Sequence, residues 1–207
     1  NSAFAEGVIG SVGRSVAVGT YAGRHATGSY NTFMGYKTGN GNHVAPFSSG
    51  QENTAIGYEA LTAFTTGEKN VAVGKSAGIA LTTGDNNVAL GYNVLTTNTS
   101  GSDNIGAGYN ALKANIGGEG NSAIGSGSLA SNTSGNYNTA VGSNSLNDNV
   151  GGEKNVAIGN SSLRDNTSGN NNTSVGKSSS QVITTGNDNV TLGFQAGNVL
   201  TTGSNNV

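Results

Sequence analysis

The sequence predicts an all-β chain: a repetitive parallel β-solenoid (β-roll) with about 17 residues per coil, assembled as a homotrimer. Three observations carry this: an unbroken seventeen-residue repeat, a strand signature at a fixed place within it, and a composition unsuited to a globule. Asn stands at 53, 70, 87, 104, 121, 138, 155, 172, 189 and 206. Four residues after each of the first nine comes a Gly, from Gly57 to Gly193, and ten further on another, from Gly67 to Gly203. A fixed period marks a stacked repeat, in which each unit contacts only its neighbours.

The composition fits such a stack. The 207 residues include 35 Gly, 31 Asn, one Pro and no Cys or Trp; 10% are charged and 33% hydrophobic. An ordinary domain has roughly 45–50% apolar residues, so a thick single core is excluded. Disorder is disfavoured too, because the net charge is only −2 and Pro is nearly absent. No apolar run reaches the roughly 18 residues of a membrane span. No basic and then apolar segment opens the chain as a signal peptide would. Zero Cys excludes disulfides and thiolate metal sites. Nine Lys and Arg, scattered among eleven Asp and Glu, form no basic stripe for nucleic acid.

Within the unit, Asn is taken as position 0. Asn70-Val71-Ala72-Val73-Gly74 and Asn155-Val156-Ala157-Ile158-Gly159 read as short strands closed by a Gly turn. Position 12 is β-branched in every regular coil (Thr65, Thr82, Thr99, Ile116, Thr133, Val150, Thr167, Thr184, Thr201), which predicts a second short strand. Stacked coils lie about 4.8 Å apart, so the Asn column is expected to form a side-chain amide ladder. The Gly columns suit corners that need positive φ or close backbone approach.

One large apolar residue per coil changes place. Leu95, Leu112, Leu129, Leu146 and Leu163 stand at position 8, with Asn at position 11. Where position 8 is Gly78, Ser180 or Gly197, position 11 becomes Leu81, Ile183 or Leu200; only one coil has both, Leu61 and Phe64. A shared, thin interior slot explains the exchange.

The organisation is irregular over 1–52 and regular over 53–207, where the repeats run to the last residue as if continuing beyond it. Ser15 leads to Asn31 after sixteen residues, and Asn31 to Asn53 after twenty-two. The five extra residues predict a loop near 39–47 that contains Gly39, Asn40, Gly41, His43, Pro46 and Phe47. Both faces of the repeated strand are apolar or small, the pattern of a strand covered on both sides. One face can serve the coil's own interior. The other calls for further copies around a common axis, and an Ala and Gly column permits very close approach.

The Asn-Val-Ala-Ile-Gly and Asn-Thr-Ala-Val-Gly strands resemble the head repeats of trimeric autotransporter adhesins. The longer unit that begins at Asn53 is also similar to repeats in bacteriophage tail fibres. The resemblance spans about 15–207 and implies a three-chain parallel β-roll in an extracellular, cell-surface or virion-tail fibre. It implies adhesion or host recognition as the role, with a host surface glycan or protein receptor as partner.

The residues point to no enzyme, cofactor or metal. There are two histidines, His25 and His43, and the acids Glu68, Asp85, Asp103, Glu119, Glu153 and Asp188 sit in the turn before Asn, where solvation suffices to explain them. A glycan-cleaving tailspike would need two carboxylates about 5–9.5 Å apart. Ice binding by the Thr65-Thr66, Thr82-Thr83, Thr184-Thr185 and Thr201-Thr202 pairs is weakened by interruptions at Ile116-Gly117 and Val150-Gly151. Asn98, Asn132 and Asn166 head glycosylation-type triplets that so Asn-rich a chain produces by composition. The candidate receptor contacts are Tyr36, Tyr58, Tyr92 and Tyr109 (with Phe194 on the same corner), plus His43 and Phe47 of the inserted loop. Exposed Tyr offers a rigid apolar face and a polar tip, and loops on rigid scaffolds tend to carry binding. The other reading of the tyrosines is that they stack on one another to protect the corner.

Overall fold

The computed structural model describes residues 14–44 and 46–207. Among the described residues, eleven three-residue strands, β1 (Val16–Val18) through β11 (Val190–Leu192), form one parallel sheet in strict sequence order. Each strand pairs in register with the next, as when β4 (Val71–Val73) sets Ala72 against Ala89 of β5 (Val88–Leu90). The chain is an all-β parallel solenoid with about 17 residues per turn. The first thirteen residues of the irregular 1–52 segment lie outside the described part.

Asn holds each coil closed. Asn70 donates its backbone N–H and its Nδ2 to Oδ1 of Asn53 in the preceding coil, at 2.9 and 3.1 Å. The same Nδ2 donates to the carbonyl of Gly84 at 2.9 Å, fourteen residues on in its own coil. The pattern recurs from Asn70 through Asn189 (Asn189 to Asn172 and Gly203, for example). A buried amide left unpaired would cost about 1–3 kcal/mol, so in a stack this thin these bonds are structural requirements.

A second amide ladder, which the sequence reading does not anticipate, runs beside the first. Asn115 donates to Asn98, Asn132 to Asn115, Asn149 to Asn132 and Asn166 to Asn149, at 2.8–3.2 Å. Both ladders converge on the same carbonyls: Asn104 and Asn115 each donate to Gly118, at 2.8 and 2.9 Å. This is why the Leu-8/Asn-11 arrangement comes as one block of five coils. An Asn at position 11 is satisfied by stacked Asn neighbours, and the column stops where Ile183 replaces it.

The interior is a single apolar cluster in which Leu61, Phe64, Leu81, Leu95, Leu112, Leu129, Leu146, Leu163 and Ile183 are all buried. The exchange between positions 8 and 11 therefore fills one slot. A third way of filling it appears at Asn31, whose coil has Gly39 at position 8 and the loop at position 11. There Phe33 takes the place of the usual strand Ala and packs on Phe64 with ring centroids 5.5 Å apart. Position 8 carries a cost: Leu112 and Leu146 sit at φ 49° and 47°, a left-handed conformation that costs an L-residue about 1–2 kcal/mol. Burying the isobutyl group returns about 1.5–3 kcal/mol.

Three expectations are corrected. No second strand forms at position 12. There the carbonyl of Thr99 accepts the N–H of both Thr82 and Thr83 at 3.0 Å, so the chain bends at a corner where a strand would extend. The strand Ala residues are not the partner-facing column. Ala55, Ala72, Ala123, Ala140 and Ala157 are buried inside, opposite the Leu slot. The outward column is position 3: Met34, Ile56, Leu90, Ile124 and Ile158 are exposed along the flat sheet. Finally, the inserted loop is shorter than 39–47. Gly39 and Gly41 still donate to Ala60 and Thr62 at 2.9 and 3.0 Å, as regular coil residues do, and Ser48 rejoins the stack by bridging Ala26.

The two Gly columns answer different needs. Gly125, with φ 132°, stands where an added Cβ would lie 2.6 Å from the carbonyl of Gly142. Gly118 lies outside the left-handed region, but its Cβ would meet the Gly135 oxygen at 2.6 Å. Gly117 faces open space, with only Ser100 Oγ at 3.6 Å. Gly125→Ala should therefore cost about 1–3 kcal/mol in denaturant unfolding. Gly117→Ala should be neutral or gain up to about 1 kcal/mol. Equal effects from the two substitutions would contradict this assignment of the corners.

Candidate functional site

Position 5 follows the strand Gly on an outward corner, and stacking turns its residues into a column parallel to the axis. Tyr36 and Tyr58 stack with centroids 5.3 Å apart, and Tyr92 and Tyr109 at 5.4 Å and only 5° from parallel. Lys75 holds the same position between the two pairs, with Nζ 5.6 Å from the Tyr58 ring and 5.7 Å from that of Tyr92. At the N-terminal end Tyr21 meets Tyr36 edge-on at 6.1 Å, Arg24 lies over Tyr21, and Lys37 lies over Tyr36 and pairs with Glu59 at 3.5 Å. The tyrosines do stack on neighbouring coils, yet they stay exposed, Tyr109 most of the four at 56%. Ring faces are used within the column, while edges and hydroxyls remain outward.

The other two candidates form a separate group. Phe47 stacks on His25 with centroids 5.9 Å apart and planes 16° from parallel, and His43 lies 6.4 Å from the same imidazole. Asn42 donates its N–H to Ser48 Oγ at 2.8 Å, and that hydroxyl in turn donates to the Phe64 carbonyl at 2.6 Å. Thus the loop root is tied to the stack, and His43 and Phe47 pack on His25, not on the tyrosine column. Burial, then the Arg24 charge, then His43 hold His25 below its ordinary pKa.

The turn acids do more than solvate a corner. Asp85 accepts the Glu68 N–H at 2.8 Å, and Asp103, Glu153 and Asp188 each accept an Asn amide from the preceding coil at 3.0–3.1 Å. Stacking also sets Glu68 and Asp85 one coil apart, a proximity that their linear spacing hides. Among the described residues, no three or more His, Cys, Asp or Glu are grouped to hold a metal. No helix there is long and apolar enough to cross a membrane.

Two further groups of polar side chains take part in the stack itself. Asn98, Asn132 and Asn166 are fully buried in the second ladder, so their triplets are out of reach of modification in the folded state. Thr65, Thr82 and Thr184 donate their hydroxyls to the carbonyl of the next coil at 2.8–3.2 Å, so these three are engaged within the stack.

A groove of about 560 Å3 lies between position 5 and positions 9 and 10, lined among others by Tyr109, Asn110, Lys113, Ser131, Asn144 and Asn147. No signal in the linear sequence isolates it, because its residues come from several coils. Compared with protein-family models, with curated proteins and with solved structures, the chain matches none of them.

His25 supplies the pH dependence of the loop. Its lowered pKa means that the folded loop favours neutral imidazole. That contribution is complete above the ordinary histidine value of about 6.5 and is lost as pH falls through the lowered one. In an NMR titration His25 should titrate below the ordinary value, with the Phe47 ring shifts changing in the same range. Titration of His25 at or above the ordinary value would refute this.

Proposed function

We propose that the chain is a non-enzymatic segment of an extracellular or virion fibre, a host-recognition shaft or head in which three copies pack around a common axis. The observation that supports this best is the outward column of the sheet. Position 3 is Val18, Met34, Ile56, Val73, Leu90, Ala107, Ile124, Val141, Ile158, Val175 and Leu192, apolar in every described coil. Three residues by eleven strands make a flat face roughly 10 Å by 50 Å. A continuous apolar column of that length, beside a position-1 column in which Val and Ile are mixed with Thr32, Thr54, Ser122, Thr139 and Thr173, marks an interaction surface on a chain with 10% charge. A rotation axis parallel to the solenoid brings like residues of each copy together, which suits a column that is apolar throughout. Each copy would bring to the axis a face comparable to the roughly 800 Å2 per partner of a stable interface, once the flanking positions are included.

On this reading the tyrosine column and the 42–47 loop face away from the axis and present the contact surface to a host glycan or protein. A second reading, a purely structural filament with binding elsewhere, is favoured by one observation: most ring faces of the tyrosine column are spent on each other.

Light scattering on the folded segment should give three times the 20.4 kDa chain mass. Ile124→Lys together with Ile158→Lys should return a monomer that keeps the far-ultraviolet β spectrum. A wild-type monomer would overturn the assembly. Deleting residues 42–47 leaves a sixteen-residue coil like that of Ser15–Asn31. It should preserve the assembly and weaken attachment to host cells; undiminished attachment would remove the loop from the contact surface.

A further inference from the structure

The groove beside Tyr109 is a slot one coil wide. In the coil from Asn121, positions 5, 6, 9 and 10 are Ser126, Gly127, Ala130 and Ser131, all small. The coil before it puts Tyr109, Asn110 and Lys113 at the first three of these positions, and the coil after it puts Asn144 and Asn147 at positions 6 and 9. These two walls are two coil spacings apart, roughly 9–10 Å between backbones. The slot also interrupts two columns. Tyr109 stacks on Tyr92 through one face, and its column continues as Ser126, so the other face of the ring is left over the slot. In the position-6 column Asn93 and Asn110 are followed by Gly127, and Asn110 Oδ1, shielded from solvent, has no hydrogen-bond partner in the protein. On the far wall, Asn147 donates Nδ2 to the Gly127 carbonyl at 2.6 Å and so stands fixed at the slot's edge.

We infer that this slot binds one pyranose ring of an anionic glycan. The free face of Tyr109 receives the apolar C–H face of the sugar, a contact that a flat aromatic ring makes with little loss of side-chain freedom. The amides of Asn144 and Asn147 and the hydroxyl of Ser131 offer both donors and acceptors to equatorial hydroxyls, which present both. Lys113 is the one charged side chain in the lining, and no carboxylate opposes it there, so a sugar carboxylate is preferred over a neutral substituent. The other three tyrosines do not duplicate the site. Tyr58 is flanked by Tyr36 and Lys75, Tyr92 by Lys75 and Tyr109, and Tyr36 by Tyr21 and Tyr58. The inference deepens the host-recognition reading and rests on it for its biological meaning, while the binding itself is measurable on the segment alone.

The test is saturation-transfer NMR and calorimetry on the folded segment with two probes, an oligogalacturonate and a neutral gluco-oligosaccharide of equal length. The oligogalacturonate should bind more tightly than the neutral probe. Tyr109→Ala should weaken it by about tenfold or more, Tyr109→Phe should largely restore it, and Lys113→Gln should abolish the preference for the anionic probe. Gly127→Asn is the decisive variant. Asn already occupies the left-handed position 6 in Asn93, Asn110 and Asn144, so the substitution suits the backbone; its Cβ falls 2.5 Å from Asn144 Oδ1, and that side chain swings aside as the new amide fills the slot. The substitution should abolish binding while the β spectrum and a cooperative unfolding transition are retained. Undiminished binding in Gly127→Asn or Tyr109→Ala, or no binding of either probe to the wild type, would overturn the site. Host attachment that persists in Gly127→Asn would then leave the fibre reading standing without this slot, whereas monomeric wild type would remove the fibre reading and leave the glycan measurement intact.

Discussion

Each regular coil of this protein is closed by the side-chain amide of its first Asn. The Nδ2 of an Asn at the start of the coil reaches the Gly carbonyl fourteen residues later, and the same group bonds the Asn of the coil before. Closure and stacking are therefore one event. A coil cannot close without presenting an amide oxygen to the next, and the next coil cannot stack without using it. The Gly columns follow from this constraint, because backbones drawn so close leave no space for a Cβ at Gly118 or Gly125. So does the tolerance of left-handed Leu at position 8, since the ladder fixes the turn and the side chain must accept the φ that results.

A stack held by amides needs only a thin apolar filling, and the three ways of supplying it show how little freedom the interior has. Position 8, position 11 or, at Phe33, position 2 can bring the large group, and except in the coil with both Leu61 and Phe64 the other two are then small or polar. The polar alternative at position 11 is satisfied only when neighbouring coils share it, so local sequence choices become cooperative along the axis. Stability in such a stack is a sum over coils and their interfaces. The outer surface is set by the same geometry. Anything at one position of the coil becomes a column, and a single small coil between bulky ones becomes a slot.

Much of this was legible from spacing alone. The seventeen-residue period, the first Asn ladder, the shared Leu slot and the tyrosine column all follow from residues recurring at fixed offsets. Other features were not. The second Asn ladder was visible only as the polar half of an exchange with Leu. Phe33 in the Ala column makes sense once the loop is known to remove its coil's position 11. The inward direction of Ala was ambiguous because both strand faces read as small or apolar. The candidate site divided in the same way: the tyrosines were found by their column, but the pairing of His43 and Phe47 with His25 depends on a contact across coils of unequal length.

The sequence by itself determined the period, the strand within it and the positions that must be Gly or Asn, because a one-dimensional stack writes its contacts into a repeat. Only the tertiary structure decided which strand face is the interior, that position 12 is a corner, and that Tyr109, of the four column tyrosines, keeps a ring face over an open slot. These depend on how far apart neighbouring coils hold their side chains, and that distance is fixed by closure of the whole coil.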